Sequence, residues 1–155
     1  MSDMETHSPM MDRRPAVQVA TFQADVRELR NILWGIEEEQ IPFETCEMAA
    51  QDAAALAHLA AHMSSLNVGI GVNGAEGKVV LHHRDLPSDS PLFILEMSVS
   101  NKVHLRNLGK NAARLVKCDP LIFEEVDICS ENDRALSSSY LDLIVRDVVK
   151  LLSKQ

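Results

Sequence analysis

The sequence is poor in cysteine and in aromatic residues. Its 155 residues include three cysteines, one tryptophan, one tyrosine and four phenylalanines. The cysteines, at positions 46, 118 and 129, form no C-x-x-C pair, which excludes the cysteine-pair zinc motifs and favours reduced thiols in a cytoplasmic protein. Because aromatic residues are so few, the placement of the single tryptophan, Trp34, is informative.

Basic charge and long apolar runs are also scarce. Lysine and arginine number 15 against 23 aspartates and glutamates, which gives a net charge of −8. This balance argues against nucleic acid, and against an anionic membrane surface, as the main partner. The first 14 residues are polar, and the apolar segment after them has only about seven residues, which excludes a signal peptide and a membrane span.

The length fits one domain, which should bury roughly 70% of its unfolded surface. Residues 1–14 mix polar residues, Met and Pro without periodicity and predict a disordered tail. Residues 15–123 carry the pattern of an α/β domain. Residues 124–155 predict an acidic linker and then an amphipathic helix that begins near Ser139 with capping-box spacing.

Alternating strand and helix patterns predict a three-layer α/β/α domain with a five-stranded mixed sheet, to which the C-terminal helix is added. Asp25 is placed to cap the first helix. Residues 73–77 (NGAEG) predict a hairpin turn, so the strand after them should be the one antiparallel strand. The predicted strands cover 16–22, a short segment from 41, 66–72, 78–82 and 92–96. The first predicted helix begins at 26, and the next two cover 49–63 and 102–117.

Residues 69–74 (GIGVNG) match the G-x-G-x-x-G pattern of dinucleotide-binding folds. That pattern binds phosphate when a helix opens directly after it, because the helix N-terminus holds the pyrophosphate. Here another strand follows the glycines. We therefore expect a glycine-rich strand and turn at this position, and no bound organic cofactor.

His58 and His62 are four residues apart on a predicted helix, which is a legitimate spacing for two zinc ligands. No motif points to a third ligand, and H-E-x-x-H is absent. Ordinary surface or partly buried histidines are therefore expected. No nucleophile elbow or Ser/His/Asp arrangement is visible either, so the sequence predicts no enzyme.

The first helix carries three residues that suit a protein contact. At about 100° per residue, Arg27, Trp34 and Glu38 lie opposite the apolar stripe of the helix. Tryptophan is unfavourable on a solvated face and is enriched at the centres of interfaces. We therefore predict a partner contact here; the alternative is that the tail or the C-terminal helix half covers Trp34.

The last helix of the domain carries a basic stripe at four-residue spacing, and Lys117 lies within it. A solvated face is the usual meaning of such a stripe, and docking against an acidic partner surface is the alternative. The residues of the stripe are Lys102, Arg106, Lys110 and Arg114.

Three segments in this order resemble the small subunit of diol and glycerol dehydratase reactivases. Residues 33–43 (LWGIEEEQIPF) resemble the G-I-E-E-E-G-I-P-F segment of that family, residues 86–93 (LPSDSPLF) its L-P-x-x-x-P-L-F element, and residues 107–117 (NLGKNAARLVK) its G-x-N-A-A-R-L-V-K helix. The resemblance covers residues 16–123. The same blocks occur in the medium subunit of B12-dependent dehydratases, but the short tail and compact loop favour the reactivase.

The resemblance implies a non-catalytic, chaperone-like subunit. In that family a large subunit binds and hydrolyses ATP, and the small subunit pairs with it and exchanges with the dehydratase medium subunit, so that damaged cobalamin leaves the dehydratase. The middle glutamate of the G-I-E-E-E segment, which is Glu38 in this sequence, would help coordinate Mg²⁺ at the contact with the large subunit. Mg²⁺ needs octahedral coordination by oxygen, and one carboxylate supplies too few ligands. The partner chain and water would therefore supply the others.

The sequence departs from the family at Gln40, where glycine is usual. If this residue ends the helix in the left-handed conformation, the substitution costs about 1 kcal/mol. Two other functions stay open: the medium subunit of a B12-dependent dehydratase, and a free-standing α/β binding module. The sequence does not distinguish glycerol from propanediol dehydratase as the client, and the expected location is the cytoplasm or a bacterial microcompartment within it.

Overall fold

A computed structural model describes residues 14–123 of the chain, and residues 14–122 of these belong to one compact unit. In chain order its elements are β1 (Val17–Phe22), α1 (Val26–Glu38), β2 (Phe43–Glu47), α2 (Ala53–Met63), β3 (Val68–Asn73), β4 (Lys78–His83), β5 (Phe93–Glu96) and α3 (Lys102–Lys117).

The strands of this described part form one mixed sheet in the order β2-β1-β3-β4-β5. β1 is parallel to both of its neighbours, and its Gln18 lies opposite Glu44 of β2 and Gly69 of β3. β4 is antiparallel to β3 and β5, and its Val80 lies opposite Gly71 and Ile94. β4 therefore runs against the other four strands, which confirms the prediction from the hairpin turn.

Helices cover both faces of the sheet. α1 and α3 lie together over one face, where the branched side chains of β1, β3 and β4 form the main core. α2 covers the other face, where Ala20 of β1 and Leu56 belong to one cluster of buried side chains and Val80 of β4 and Ala57 to another. Successive residues of a strand point to opposite faces, so burial on both sides explains why apolar residues of β1, β3 and β4 do not simply alternate with polar ones. The predicted three-layer α/β/α architecture is confirmed.

The glycines of β3 let α2 lie very close to the sheet. A Cβ atom on Gly69 would stand 2.1 Å from the backbone nitrogen of Ala61, and one on Gly71 would stand 2.3 Å from the carbonyl oxygen of Ala53. No side chain fits at such distances. The G-x-G-x-x-G match is thus a packing feature followed by a turn and β4, and the expectation of a strand and turn is confirmed.

Short polar side chains set the N-termini of the helices. Asp25 caps α1 as predicted, since its carboxylate accepts a hydrogen bond of 2.7 Å from the Arg27 amide. The predicted start of α2 at residue 49 is wrong, because Asp52 caps this helix through the Ala55 amide at 2.6 Å. α2 consequently begins four residues later, at Ala53.

The segment after α3 is held by Asn111, the asparagine of the third resemblance block. Its side chain is buried, donates to the Ile122 carbonyl oxygen at 2.8 Å and accepts from the Ile122 amide at 2.6 Å. The Arg114 guanidinium donates to the Pro120 carbonyl oxygen at 3.1 Å. These bonds fold the chain back along α3.

The predicted tail before residue 14, the acidic segment 124–127 and the helix from Ser139 lie outside the described residues and stay predictions. The same holds for the domain limits drawn around them. Within the described range, no helix combines the length and the apolar character that crossing a membrane requires.

Candidate functional site

Two glycines bring α1 and α3 into backbone contact. A Cβ atom on Gly35 of α1 would stand 2.0 Å from the carbonyl oxygen of Arg106, and one on Gly109 of α3 would stand 2.0 Å from the carbonyl oxygen of Ile32. Each helix therefore fits into a notch in the other. This contact places the acidic C-terminal end of α1 beside the basic stripe of α3.

Glu38 lies between two cations of that stripe. Arg106 Nη2 donates to Glu38 Oε1, and Lys110 Nζ lies 3.0 Å from Glu38 Oε2. The Glu38 side chain is about one-third exposed, so the site is open to solvent at its edge. Hydrogen bonds from Lys110 and then from Arg106 hold the pKa of this carboxyl below its usual value. At neutral pH Glu38 is an anion with a cation at each oxygen.

Glu39 forms a second cluster beside the first. Its Oε1 accepts from Arg114 Nε at 3.0 Å, and its Oε2 accepts from Lys117 Nζ at 2.7 Å. Lys117 also lies 3.2 Å from Asp119 Oδ2. The hydrogen bond from Lys117 and then that from Arg114 lower the Glu39 pKa, and the hydrogen bond to Glu39 raises the Lys117 pKa. Together the two clusters place four cations of α3 against the end of α1.

Trp34 stands at the edge of the Glu38 cluster. Its side chain is 43% exposed. The guanidinium carbons of Arg30 and Arg106 lie 6.0 Å and 5.9 Å from the centre of its ring, at the outer limit of a cation–π contact. Arg106 therefore joins the indole to the Glu38 carboxylate. A half-exposed indole among fixed charges is typical of a protein-recognition surface; we call Arg30, Trp34, Glu38, Arg106 and Lys110 the α1–α3 patch.

The structure brings together four of the seven residues proposed from the sequence, namely Trp34, Glu38, Arg106 and Lys110. Arg114 belongs to the neighbouring Glu39 cluster. Arg27 and Lys102 are exposed in the first turns of their helices, and no ion pair among residues 14–123 joins them to the patch. The exposure of Trp34 and Glu38 is as expected; their contact with a partner stays a prediction.

Sequence reasoning missed two parts of this site. Arg30 lies one helical turn before Trp34 and could have been found from the spacing 30, 34, 38. The ion pairs between the end of α1 and α3 had no local signal, because they join residues 68 to 78 positions apart. The basic stripe is therefore not a fully solvated face, since its cations from Arg106 onward are paired with the end of α1. Docking of the stripe against an acidic partner surface stays a prediction.

The fit of Mg²⁺ to Glu38 depends on a second molecule. A carboxylate oxygen is the donor that this ion prefers. However, no three His, Cys, Asp or Glu side chains of the described chain converge to hold a metal ion. In addition, the two cations beside Glu38 oppose a third positive charge. The Glu38 carboxylate is therefore a suitable ligand for Mg²⁺. To bind the ion, its ion pairs with Arg106 and Lys110 must open, and a partner chain or water must supply the other oxygen ligands.

Comparison with known sequences gives relatives of one kind. The dehydratase medium subunit family matches residues 14–122. The propanediol dehydratase-reactivating factor small subunit of Citrobacter freundii is 46% identical over 90 residues, which are 58% of this chain and 75% of the relative. The diol dehydratase-reactivating factor small subunit of Klebsiella michiganensis is 40% identical over 106 residues, which are 68% of this chain and 82% of the relative.

Solved structures give the same result. A glycerol dehydratase reactivase matches with a TM-score of 0.68 at 37% identity, over 71% of this chain and 98% of the matched chain. A diol dehydratase-reactivating factor complexed with ADP and Mg²⁺ matches with a TM-score of 0.66 at 37% identity, over 71% of this chain and 99% of the matched chain. The described domain therefore corresponds to almost the whole of each matched chain.

Proposed function

The chain belongs to the family of dehydratase medium subunits and dehydratase-reactivating factor small subunits, and on this premise we propose that it is the non-catalytic small subunit of an ATP-dependent reactivase. Its partners would be a large ATPase subunit and a B12-dependent diol or glycerol dehydratase. By exchanging with the dehydratase medium subunit, the complex would release damaged cobalamin so that intact coenzyme can bind.

The observation that carries this proposal is the α1–α3 patch. Trp34 and Glu38 lie in residues 33–43, the first of the segments that resemble reactivase small subunits, and both are exposed. The patch combines an indole with charges held in place by α3. Such a surface suits binding to another protein.

We propose further that Glu38 contributes one ligand to Mg²⁺ at the contact with the large subunit. One matched structure contains Mg²⁺ together with ADP, and the resemblance assigns the ion to this position. When bound, the ion would supply a strong electrostatic link between two carboxylate-bearing chains. In the free chain Arg106 and Lys110 occupy the two oxygens of the Glu38 carboxylate. These ion pairs would open as the complex forms, and the two cations would transfer to acidic groups of the partner.

Co-purification tests the proposal. The native chain, Glu38→Gln and Glu37→Gln are each co-expressed with the tagged large subunit, and the retained small subunit is measured in Mg²⁺ and in EDTA. Glu37 is an exposed neighbour of Glu38 on the same helix, so its substitution is the control. We expect Glu38→Gln to weaken the complex in Mg²⁺ and to leave little further effect of EDTA. We expect Glu37→Gln to behave as the native chain.

The possible outcomes separate the two proposals. If the native chain forms no complex with the large subunit, the assignment as a reactivase subunit is wrong. If it forms a complex whose Mg²⁺ dependence survives Glu38→Gln, only the metal assignment is wrong. The purified complex should also restore activity to dehydratase inactivated by cyanocobalamin when ATP, Mg²⁺ and adenosylcobalamin are added.

The second candidate function is the medium subunit of a B12-dependent dehydratase, because the matching family carries that description. Neighbouring reading frames distinguish the two. A catalytic dehydratase large subunit next to this gene, together with co-purification of the two, would favour the second candidate. An actin-like ATPase in that place would favour the reactivase.

A further inference from the structure

Three histidines lie together on the face of the sheet that is opposite the α1–α3 patch. His58 and His62 are on α2, and His82 is on β4. The ring centres of His58 and His62 are 4.5 Å apart, and those of His58 and His82 are 4.8 Å apart, both in edge-on contact. The proposed function uses none of these residues.

The distance between two of the nitrogens is the first observation. Nε2 of His58 and Nε2 of His62 are 3.3 Å apart. Two nitrogens bound to one tetrahedral zinc at about 2.0–2.1 Å lie about 3.3 Å from each other. In the free chain this distance is that of a hydrogen bond between the two rings, and it is also the separation that a shared metal ion requires.

The second observation is His82, which is completely buried. Its Nδ1 lies 2.9 Å from the His83 carbonyl oxygen, and a carbonyl only accepts, so Nδ1 carries the proton. Its Nε2 is then an acceptor, and it finds no hydrogen-bond partner within residues 14–123. The backbone bond holds the His82 ring in place, and this ring packs edge-on against the inner side of His58.

Solvent reaches the pair on α2, because His62 is exposed and His58 is partly exposed. An ion can therefore approach the pair from outside the domain.

We propose that His58 and His62 form a two-imidazole chelate for a divalent late transition metal ion, with water in the remaining positions. Imidazole nitrogen selects Zn²⁺, Ni²⁺ and Cu²⁺ and not the oxygen-seeking Mg²⁺. No third His, Cys, Asp or Glu side chain converges with the pair in the described chain. The site is thus a bidentate one, separate from the Mg²⁺ contact proposed for Glu38.

Titration of the intact chain with Zn²⁺ tests the proposal, with binding measured by calorimetry and by the ring ¹⁵N signals of the histidines. The variant is His62→Ala, because this exposed side chain supports no core contact. The control is His83→Ala, which removes a histidine outside α2. We expect one equivalent of Zn²⁺ to shift the Nε2 signals of both His58 and His62, while Mg²⁺ shifts neither.

His62→Ala should weaken Zn²⁺ binding about tenfold or more, since two linked ligands bind far more tightly than one. His83→Ala should bind as the native chain does. Equal affinity of His62→Ala and the native chain would overturn the proposal, as would Zn²⁺ shifts confined to other histidines. Because neither measurement involves the large subunit, failure here leaves the proposed reactivase function untouched.

Discussion

Gln40 follows Glu39, the C-cap of α1, and has the left-handed conformation, with φ of 61°. Its amide donates to the Glu37 carbonyl oxygen at 2.9 Å, as expected at a helix end of this type. The family block that residues 33–43 resemble has glycine at this position. The sequence predicted a cost at Gln40 if this residue adopted the left-handed conformation, and it does. The cost arises because a side chain disfavours positive φ.

We predict that Gln40→Gly stabilises the chain by about 1 kcal/mol, which corresponds to a rise in Tm of about 2–4 °C. The control is Glu37→Gly, which places glycine inside α1 and should destabilise by about 1 kcal/mol. Urea denaturation of both variants measures the effect. A loss of stability in Gln40→Gly would contradict this account of the turn.

Glu39 provides a test of the ion pairs through pH. Because Lys117 and Arg114 lower its pKa in the folded chain below the usual 4.5, the unfolded chain binds this proton more readily than the folded chain. The pairs therefore stabilise the fold above about pH 4.5, and the stabilisation is lost as the pH falls through 4.5 and below.

We predict that Glu39→Gln lowers the free energy of unfolding at pH 7 by less than about 1 kcal/mol, the usual range for pairs near the surface. The difference from the native chain should be smaller at a pH well below 4.5 than at pH 7, because Glu39 of the native chain takes up a proton in acid. Glu37→Gln is the control and should show no comparable change. Urea denaturation at both pH values is the measurement, and a difference that grows in acid would refute the assigned pairs.

At the scale of the elements, the contact between α1 and α3 depends on Gly35 and Gly109. A Cβ atom on either glycine would lie 2.0 Å from a backbone oxygen of the other helix, so alanine forces the helices apart. That separation would also disturb the ion pairs at the end of α1.

We predict that Gly35→Ala and Gly109→Ala each destabilise the chain by about 1–3 kcal/mol, as overpacking does. In an ordinary helix interior the exchange of glycine for alanine stabilises by about 1 kcal/mol. The sign of the change in stability therefore shows whether the two helices are in contact at these glycines. Thermal and urea denaturation of both variants measure it. Increased stability in either variant would show that the helices do not touch there.

The elements also show how far the sequence could predict this structure. α3 has the predicted limits, 102–117, because its apolar and basic stripes are regular and Asn101 caps it. α2 begins later than predicted, because alanine favours helix at 49 and 50 whereas the cap at Asp52 decides. Local patterns predict elements well, and a tertiary or capping interaction overrides them at their ends.

The candidate site was predictable only in part, for a related reason. Helical periodicity places Trp34 and Glu38 on the exposed side of α1, and the structure agrees. The same periodicity gives no information about which residue of α3 lies opposite Glu38. That pairing follows from the strand order and from the notch at Gly35, neither of which has a signal in a single sequence.

At the scale of the whole molecule, the sheet separates the two surfaces for which a function is proposed. The α1–α3 patch lies on one face, and α2 with its histidines covers the other. The net charge of −8 coexists with a patch in which three cations surround one carboxylate and an indole. A partner that binds the patch should therefore present acidic groups, despite the acidity of this chain.

Binding of the α1–α3 patch to the proposed reactivase large subunit is expected to depend on Trp34. The affinity of the complex is measured for the native chain, for Trp34→Ala and for Leu59→Ala, which removes an exposed apolar side chain from α2. Loss of a central interface tryptophan should raise Kd about thirtyfold or more, and Leu59→Ala should leave Kd unchanged. An unchanged Kd for Trp34→Ala, or an equal loss for Leu59→Ala, would contradict the claim.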